Sequence, residues 1–277
     1  MFKKKKFIIS LFFAYLFAAL PLFAGGTTEE TILPNSEKTI INIAAAGNLS
    51  EIIPVLNSLY HETHPGVELN VSIASTGKLT TQIMTGAPFD IMLGANTTYP
   101  AKLAEEGFAA EAPVVYAYGE IILFSRHGSG FSKGLEDLCD GETFRHVVIA
   151  NPKLAPYGRA AVSALECCGI ELTAGRRVTA ETIKQAATMA VTAADAGILA
   201  KSTIICNPEL NEEGVFWTAI PAENYTPIEQ AMVMIKNSAW KQQPEELKAY
   251  RDFILSDEAA VLFKQYGYST PSGKTGR

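Results

Sequence analysis

Cysteine and tryptophan are scarce in this chain of 277 residues, with four and two copies, and histidine is equally sparse at four. Cys139, Cys167, Cys168 and Cys206 show no C-x-x-C spacing, which excludes the common zinc and dithiol sites. Cys167 and Cys168 are adjacent in a helix-like stretch and point apart, so they do not pair with each other. Most of the four are expected to be small buried apolar residues, with one disulfide in an oxidising compartment as the alternative. His61, His64, His127 and His146 are scattered, without an H-E-x-x-H pair, and no serine sits in a nucleophile elbow. A hydrolase or transferase therefore rests on nothing specific. Positive charge is also short: 23 Lys and Arg stand against 29 Asp and Glu, a formal net charge of −6. Part of the basic complement lies in the first six residues, so the remainder is more acidic still, which argues against nucleic acid or an acidic membrane as a partner. Any anion this chain binds is held by local donors rather than by a global positive field.

What is present begins with an export pattern. A basic run (residues 3–6) precedes an apolar run (residues 7–23) that ends near Ala24-Gly25-Gly26, and residues 1–24 read as a secretory signal peptide. An uncleaved anchor helix is the alternative, against which the run is slightly shorter than the roughly 20 residues that a membrane span needs. No cysteine follows the run, which argues against a lipoprotein. Residues 25–38 are polar and read as a flexible lead-in. Removal of the leader leaves roughly 250 residues, enough for two lobes that each bury a core.

From Thr39 the pattern becomes regular. Residues 39–46 form an apolar run of buried-strand length, residues 50–63 carry helical apolar spacing, and residues 67–73 alternate as a second strand. A helix (78–85) and a third strand (89–95) follow. This order of strand, helix, strand, helix, strand predicts a parallel sheet with right-handed crossovers. The register repeats with a strand at 147–150, helices at 159–168 and 182–193, and a strand at 197–200. Two apolar segments (120–124 and 231–235) read as hinge strands, and a single helix (245–267) is expected to return to the first lobe. The fold class is α/β with two lobes: 39–118 and 232–277 in lobe 1, 119–231 in lobe 2.

Four turns at the predicted strand and helix junctions share one makeup of Gly, Ser, Thr, Asn or Tyr. They are 46–50 (Gly47, Asn48, Ser50), 74–78 (Ser75, Thr76), 151–158 (Tyr157) and 178–183 (Thr182, Ile183). The first N–H groups of a helix lack an intrahelical acceptor and sit at the positive end of the macrodipole, so such ends hold oxyanions without a cationic side chain. Each residue also has a plainer fate: Asn48, Ser50, Ser75 and Thr76 as N-caps, Tyr157 as a packing aromatic, Ile183 as core, Lys78 as a solvated side chain. Ligands of open α/β sheets bind beyond the carboxyl ends of the strands, where all four turns fall.

Taken in order, 45–49, 74–79 with 82–83 and 86–90, 151–158, and 263–268 resemble the molybdate-binding periplasmic proteins of ABC importers, a class II group of bacterial solute-binding proteins. The likeness runs from about residue 39 to about residue 269. It implies a two-lobed type II binding fold, an extracytoplasmic monomer, a membrane ABC permease as partner, no cofactor, and molybdate or tungstate as the ligand. Carried over residue by residue, the ligand set is Gly47 and Asn48, Thr76 or its neighbour Ser75, Tyr157 and Ile183, with the metal bound only as its oxyanion. One branch of the family has Ser in the first turn, where Asn48 stands here, and a ligating Tyr where this chain has Ala200. The other branch has Asn and Tyr as here, so the Tyr157 hydroxyl is expected to take over the contact that Ala200 lacks.

A fully deprotonated tetrahedral dianion only accepts hydrogen bonds, and these residues offer donors. Monohydrogen phosphate needs a buried acceptor for its proton, and none of the positions carries a carboxylate. Sulfate has the same charge and no proton, so a receptor for sulfate or another oxyanion is the nearest alternative.

Overall fold

The computed structural model describes residues 38–128 and 131–271. The expected signal peptide and all but the last residue of the lead-in lie outside the described residues.

Ten strands form two five-stranded sheets among these residues. The first sheet contains β1 (Thr39–Ala46), β2 (Val67–Ala74), β3 (Ile91–Leu93), β4 (Val114–Gly119) and β10 (Ile228–Met234), in the order β2-β1-β3-β10-β4. The second contains β5 (Ile121–Phe124), β6 (Val147–Ala150), β7 (Arg177–Ala180), β8 (Ala196–Ala200) and β9 (Trp217–Ala219), in the order β7-β6-β8-β5-β9. In each sheet three parallel strands are followed by an antiparallel one, β10 or β5, which is the first strand after the chain crosses over from the other sheet.

Helices cover both faces, which is why the strands read as nearly continuous apolar runs. On one face of the first sheet Ile41 and Ile43 pack with Leu56 and Tyr60 of α1 (Ile53–Thr63), Tyr250 of α7 (Pro244–Ile254) and Phe263 of α8 (Asp257–Gln265). On the other face Ala44 and Met92 meet Leu79 and Ile83 of α2 (Thr76–Met84) and Leu103 of α3 (Thr98–Glu105). The second sheet is covered by α4 (Pro156–Cys167) and α5 (Ile183–Thr192), whose Ala160, Ala164, Ala186 and Ala190 are buried in its core. A short α6 (Ser238–Gln242) precedes α7.

Four expectations are corrected. The strand at 228–234 belongs as a whole to the first sheet, pairing with β4 from Ile228 against Gly119, so it is not a bridge split at 231/232 and the return crossing falls between Ala219 and Ile228. The other expected hinge strand, β5, lies wholly in the second sheet, and the outward crossing is confined to Glu120. The single C-terminal helix is two helices, because Ser256 leaves helical geometry (ψ 159°) and caps α8 by accepting the Ala259 N–H at 3.1 Å. The cysteines are not buried: Cys139, Cys167 and Cys206 are exposed, Cys168 is half-buried, and all four are free thiols.

Candidate functional site

The four turns meet in the cleft between the sheets. The first turn, a 3-10 segment (Gly47–Ser50) directly after β1, faces the start of α5: a Cβ on Gly47 would lie 3.4 Å from the Thr182 Cβ and 3.6 Å from the Lys184 nitrogen. The second turn meets the third, the Gly77 N–H donating to the Leu154 carbonyl at 3.0 Å. Tyr99 reaches across beside it, its hydroxyl donating to the Lys153 carbonyl at 3.0 Å. Two ion pairs lie across the cleft, Lys78 with Glu181 at 2.8 Å and Lys184 with Glu51 at 3.6 Å. All four side chains are roughly half exposed, so each pair contributes little to stability, about 0–1 kcal/mol. Their main consequence is that both lysines at the site already have carboxylate partners.

Each sequence-predicted residue is buried at this junction. Ser75 precedes α2 but caps nothing, and its hydroxyl is buried without a partner. The Thr76 hydroxyl oxygen accepts the Ala95 N–H at 3.2 Å, which leaves its own hydrogen free to donate. Tyr157 occupies the first turn of α4 after Pro156; Gly158 and Arg159 both donate to the Ala155 carbonyl, and the Tyr157 N–H has no intrahelical acceptor. At α5 a capping box takes the Thr182 and Gln185 N–H groups, at 3.2 and 3.1 Å, and leaves those of Ile183 and Lys184. Plain capping thus explains Thr182 but not Ser75, Thr76 or Asn48.

The Asn48 side chain differs from its expected part. Its amide nitrogen donates to Gln230 Oε1 at 2.7 Å and to the Tyr268 hydroxyl oxygen at 3.0 Å, while its Oδ1 is buried without a partner. The Tyr268 hydroxyl in turn donates to the Asn48 carbonyl at 2.8 Å, and the Ser202 hydroxyl donates to the same carbonyl at 3.3 Å. The Tyr157 hydroxyl turns towards the outward crossing, where it accepts from Gln230 Nε2 at 3.4 Å and leaves no room for a Cβ on Gly119. The last residue of β4, next to the crossing, is therefore glycine because a tyrosine from the opposite lobe packs on it.

Burial pushes the hydroxyl pKa values of Tyr116, Tyr157 and Tyr268 above the usual tyrosine value. All three stay neutral at physiological pH. Together with backbone N–H groups and hydroxyls they form a polar and uncharged lining. Among the described residues no group of three or more His, Cys, Asp or Glu is placed to hold a metal ion.

Gln230, Tyr116, Ser202 and Tyr268 were not predicted as site residues. In the sequence Gln230 stands beside Glu229 at the edge of an apolar run, and only its complete burial in β10 shows that it must find partners.

Two mixed sheets joined by two crossings, with helix starts facing each other across a cleft, define a two-lobed solute-binding protein. Residues 41–269 match the family described as bacterial extracellular solute-binding protein, and the chain belongs to that family. It is 35% identical over 231 residues to the molybdate-binding protein ModA of Rhodobacter capsulatus, covering 82% of this chain and 87% of that one. The ModA of Azotobacter vinelandii is 32% identical over 231 residues, covering 82% and 89%. The solved structure of the Azotobacter vinelandii periplasmic molybdate-binding protein superposes with a TM-score of 0.77 at 28% identity, covering 84% of this chain and all of that one. The family consists of solute carriers rather than enzymes.

Proposed function

We propose that this protein is the extracytoplasmic receptor of an ABC importer that captures molybdate, and tungstate with it, and delivers the ion as a monomer to a membrane permease. The leader at residues 1–24 would direct its export. The observation that carries the reading is the meeting of the four turns; the N–H groups of Asn48, Tyr157 and Ile183 and the hydroxyls of Ser75 and Thr76 are the donors we assign to the ion. A dianion there would be neutralised by hydrogen bonds alone, each made stronger by the low local dielectric. Delivery follows from closure: a ligand held from both lobes favours the closed form, which presents a composite surface to the permease.

Two relatives named for molybdate support this ligand over the sulfate alternative, and the absence of a carboxylate among the proposed contacts speaks against phosphate, whose O–H would be left unpaired at a cost of roughly 1–3 kcal/mol. Titration calorimetry of the leader-free protein tests the reading. One molybdate bound per chain without turnover is expected, and no saturable binding would contradict it.

A further inference from the structure

The buried network around Asn48 has a second arrangement with the same shape. Turning a carboxamide by 180° exchanges its oxygen and nitrogen with almost no change in volume. If Asn48 and Gln230 turn together, Gln230 Nε2 donates to Asn48 Oδ1 across the same 2.7 Å and to the Tyr116 hydroxyl oxygen across 3.3 Å. The Tyr116 hydroxyl keeps its own hydrogen for the Gly94 carbonyl at 3.0 Å, and the Tyr157 hydroxyl donates to Gln230 Oε1 across 3.4 Å. Every polar atom of Gln230 remains paired. At Asn48 two things change: the Tyr268 hydroxyl turns its one hydrogen from the Asn48 carbonyl to Oδ1 across 3.0 Å, leaving that carbonyl to Ser202 at 3.3 Å, and the unpartnered atom of the side chain, an acceptor in the first arrangement, becomes an N–H donor.

We propose that Gln230 is the positioning residue that sets which end of the Asn48 carboxamide faces the ligand, and that a dianion is bound with both amides turned. The inference rests on the functional reading above. A lone-pair oxygen facing an oxyanion repels it, whereas an N–H donates to it, so the paired turn would convert the first turn from a neutral or repelling wall into a ligand. Only a residue able both to accept and to donate can serve the two states, which accounts for a glutamine among the buried positions of β10. Because Gln230 touches Asn48 and Tyr116 in one lobe and Tyr157 in the other, the orientation is coupled to closure.

The test compares Gln230→Met and Gln230→Glu with the wild-type protein by molybdate calorimetry at pH 8 and pH 5.5. The Met variant, which fills the space but holds neither amide state, should bind about tenfold more weakly at both pH values, one hydrogen bond's worth of orientation. The Glu variant at pH 8 accepts only, locks the Asn48 oxygen outward, and should lose roughly 30-fold or more, the cost of an unpaired acceptor plus like charge. Burial raises the pKa of such a carboxyl, so at pH 5.5 it can donate again and affinity should return towards that of the Met variant or better. The titratable groups around position 230 are Tyr116, Tyr157 and Tyr268, all neutral across this range, with Glu51 and Glu120 acting from further off. Wild-type affinity in the Met variant, or a Glu variant whose loss is the same at both pH values, would overturn the proposal. If the Glu variant does not fold, the Met variant decides alone. A wild-type protein that ignores molybdate removes the functional reading and this inference together, whereas weakened binding in Asn48→Ala beside an unaffected Gln230→Met removes only the inference.

Discussion

Gly77 donates its backbone N–H to the carbonyl of Leu154 at 3.0 Å, joining the second anion-type turn in one lobe to the third in the other. A Cβ at position 77 would lie 2.7 Å from the Tyr99 hydroxyl and 3.1 Å from the Leu154 oxygen. The lobes approach this closely only because residue 77 has no side chain.

Gly77→Ala should therefore prop the cleft open while leaving each lobe folded. Overpacking of this kind costs roughly 1–3 kcal/mol, and the share set by the Leu154 carbonyl and by a Tyr99 held to Lys153 falls on the closed form. The expected result is a thermal midpoint near wild type with molybdate affinity about tenfold or more weaker. Small-angle scattering should show ligand-induced compaction in the wild type and less in the variant; equal compaction and equal affinity would remove Gly77 from the closing contact.

Thr76→Ala and Asn48→Ala should each weaken molybdate binding by about 1–3 kcal/mol, the cost of leaving a buried ligand oxygen short of a donor. Asn48→Ala should also lower the melting temperature of the ligand-free protein, since it strands Gln230 and Tyr268, while Thr76→Ala should do so less. Tyr157→Phe should cost less affinity than either, because its hydroxyl faces Gln230 and Gly119 and its backbone N–H is retained. Calorimetry and thermal melts on the three variants separate these effects.

The fold was largely legible because buried parallel strands and amphipathic helices write their periods plainly into the sequence. The repeat of strand and helix from β1 to β3 follows from apolar runs punctuated by glycine and proline. What was not legible depended on partners remote in the chain. The hinge strand was read at residues 231–235 because the apolar run starts only after Glu229 and Gln230, and the pairing with β4 and the bulge at Gln230/Ala231 show that the strand begins at Ile228 and lies within the first sheet. The four anion-type turns were visible as local composition, whereas the Asn48, Gln230 and Tyr268 network joins residues 182 and 220 positions apart and leaves no local pattern. The exposed cysteines were misjudged because the general tendency of free thiols to be buried carries no information about a particular surface.

Stability should be flat from about pH 6 to 9 and fall above about pH 10. Tyr60, Tyr116, Tyr157 and Tyr268 have folded-state pKa values raised above that of an unfolded tyrosine, mainly through burial, with that of Tyr60 pushed up to about 12. An acid whose folded pKa is raised is favoured in its protonated state by folding. Its contribution is complete below the unfolded pKa, near 10, and is lost as pH rises through the folded value. Thermal melts between pH 6 and 11 check this, and a midpoint as high at pH 11 as at pH 8 would contradict it.

The most direct measurement of the central claim is a thermal-shift competition on the leader-free protein with molybdate, tungstate, sulfate and phosphate. A ligand that binds only the folded state raises the midpoint in proportion to the logarithm of its concentration over Kd, so the four shifts rank the four affinities. Donors placed for the larger ions would sit too far from the oxygens of sulfate, and hydrogen bonds weaken once donor and acceptor separate beyond about 3.2 Å. Large shifts with molybdate and tungstate and small ones with sulfate and phosphate are expected. The largest shift with sulfate or phosphate would leave the protein in its family and contradict the molybdate reading.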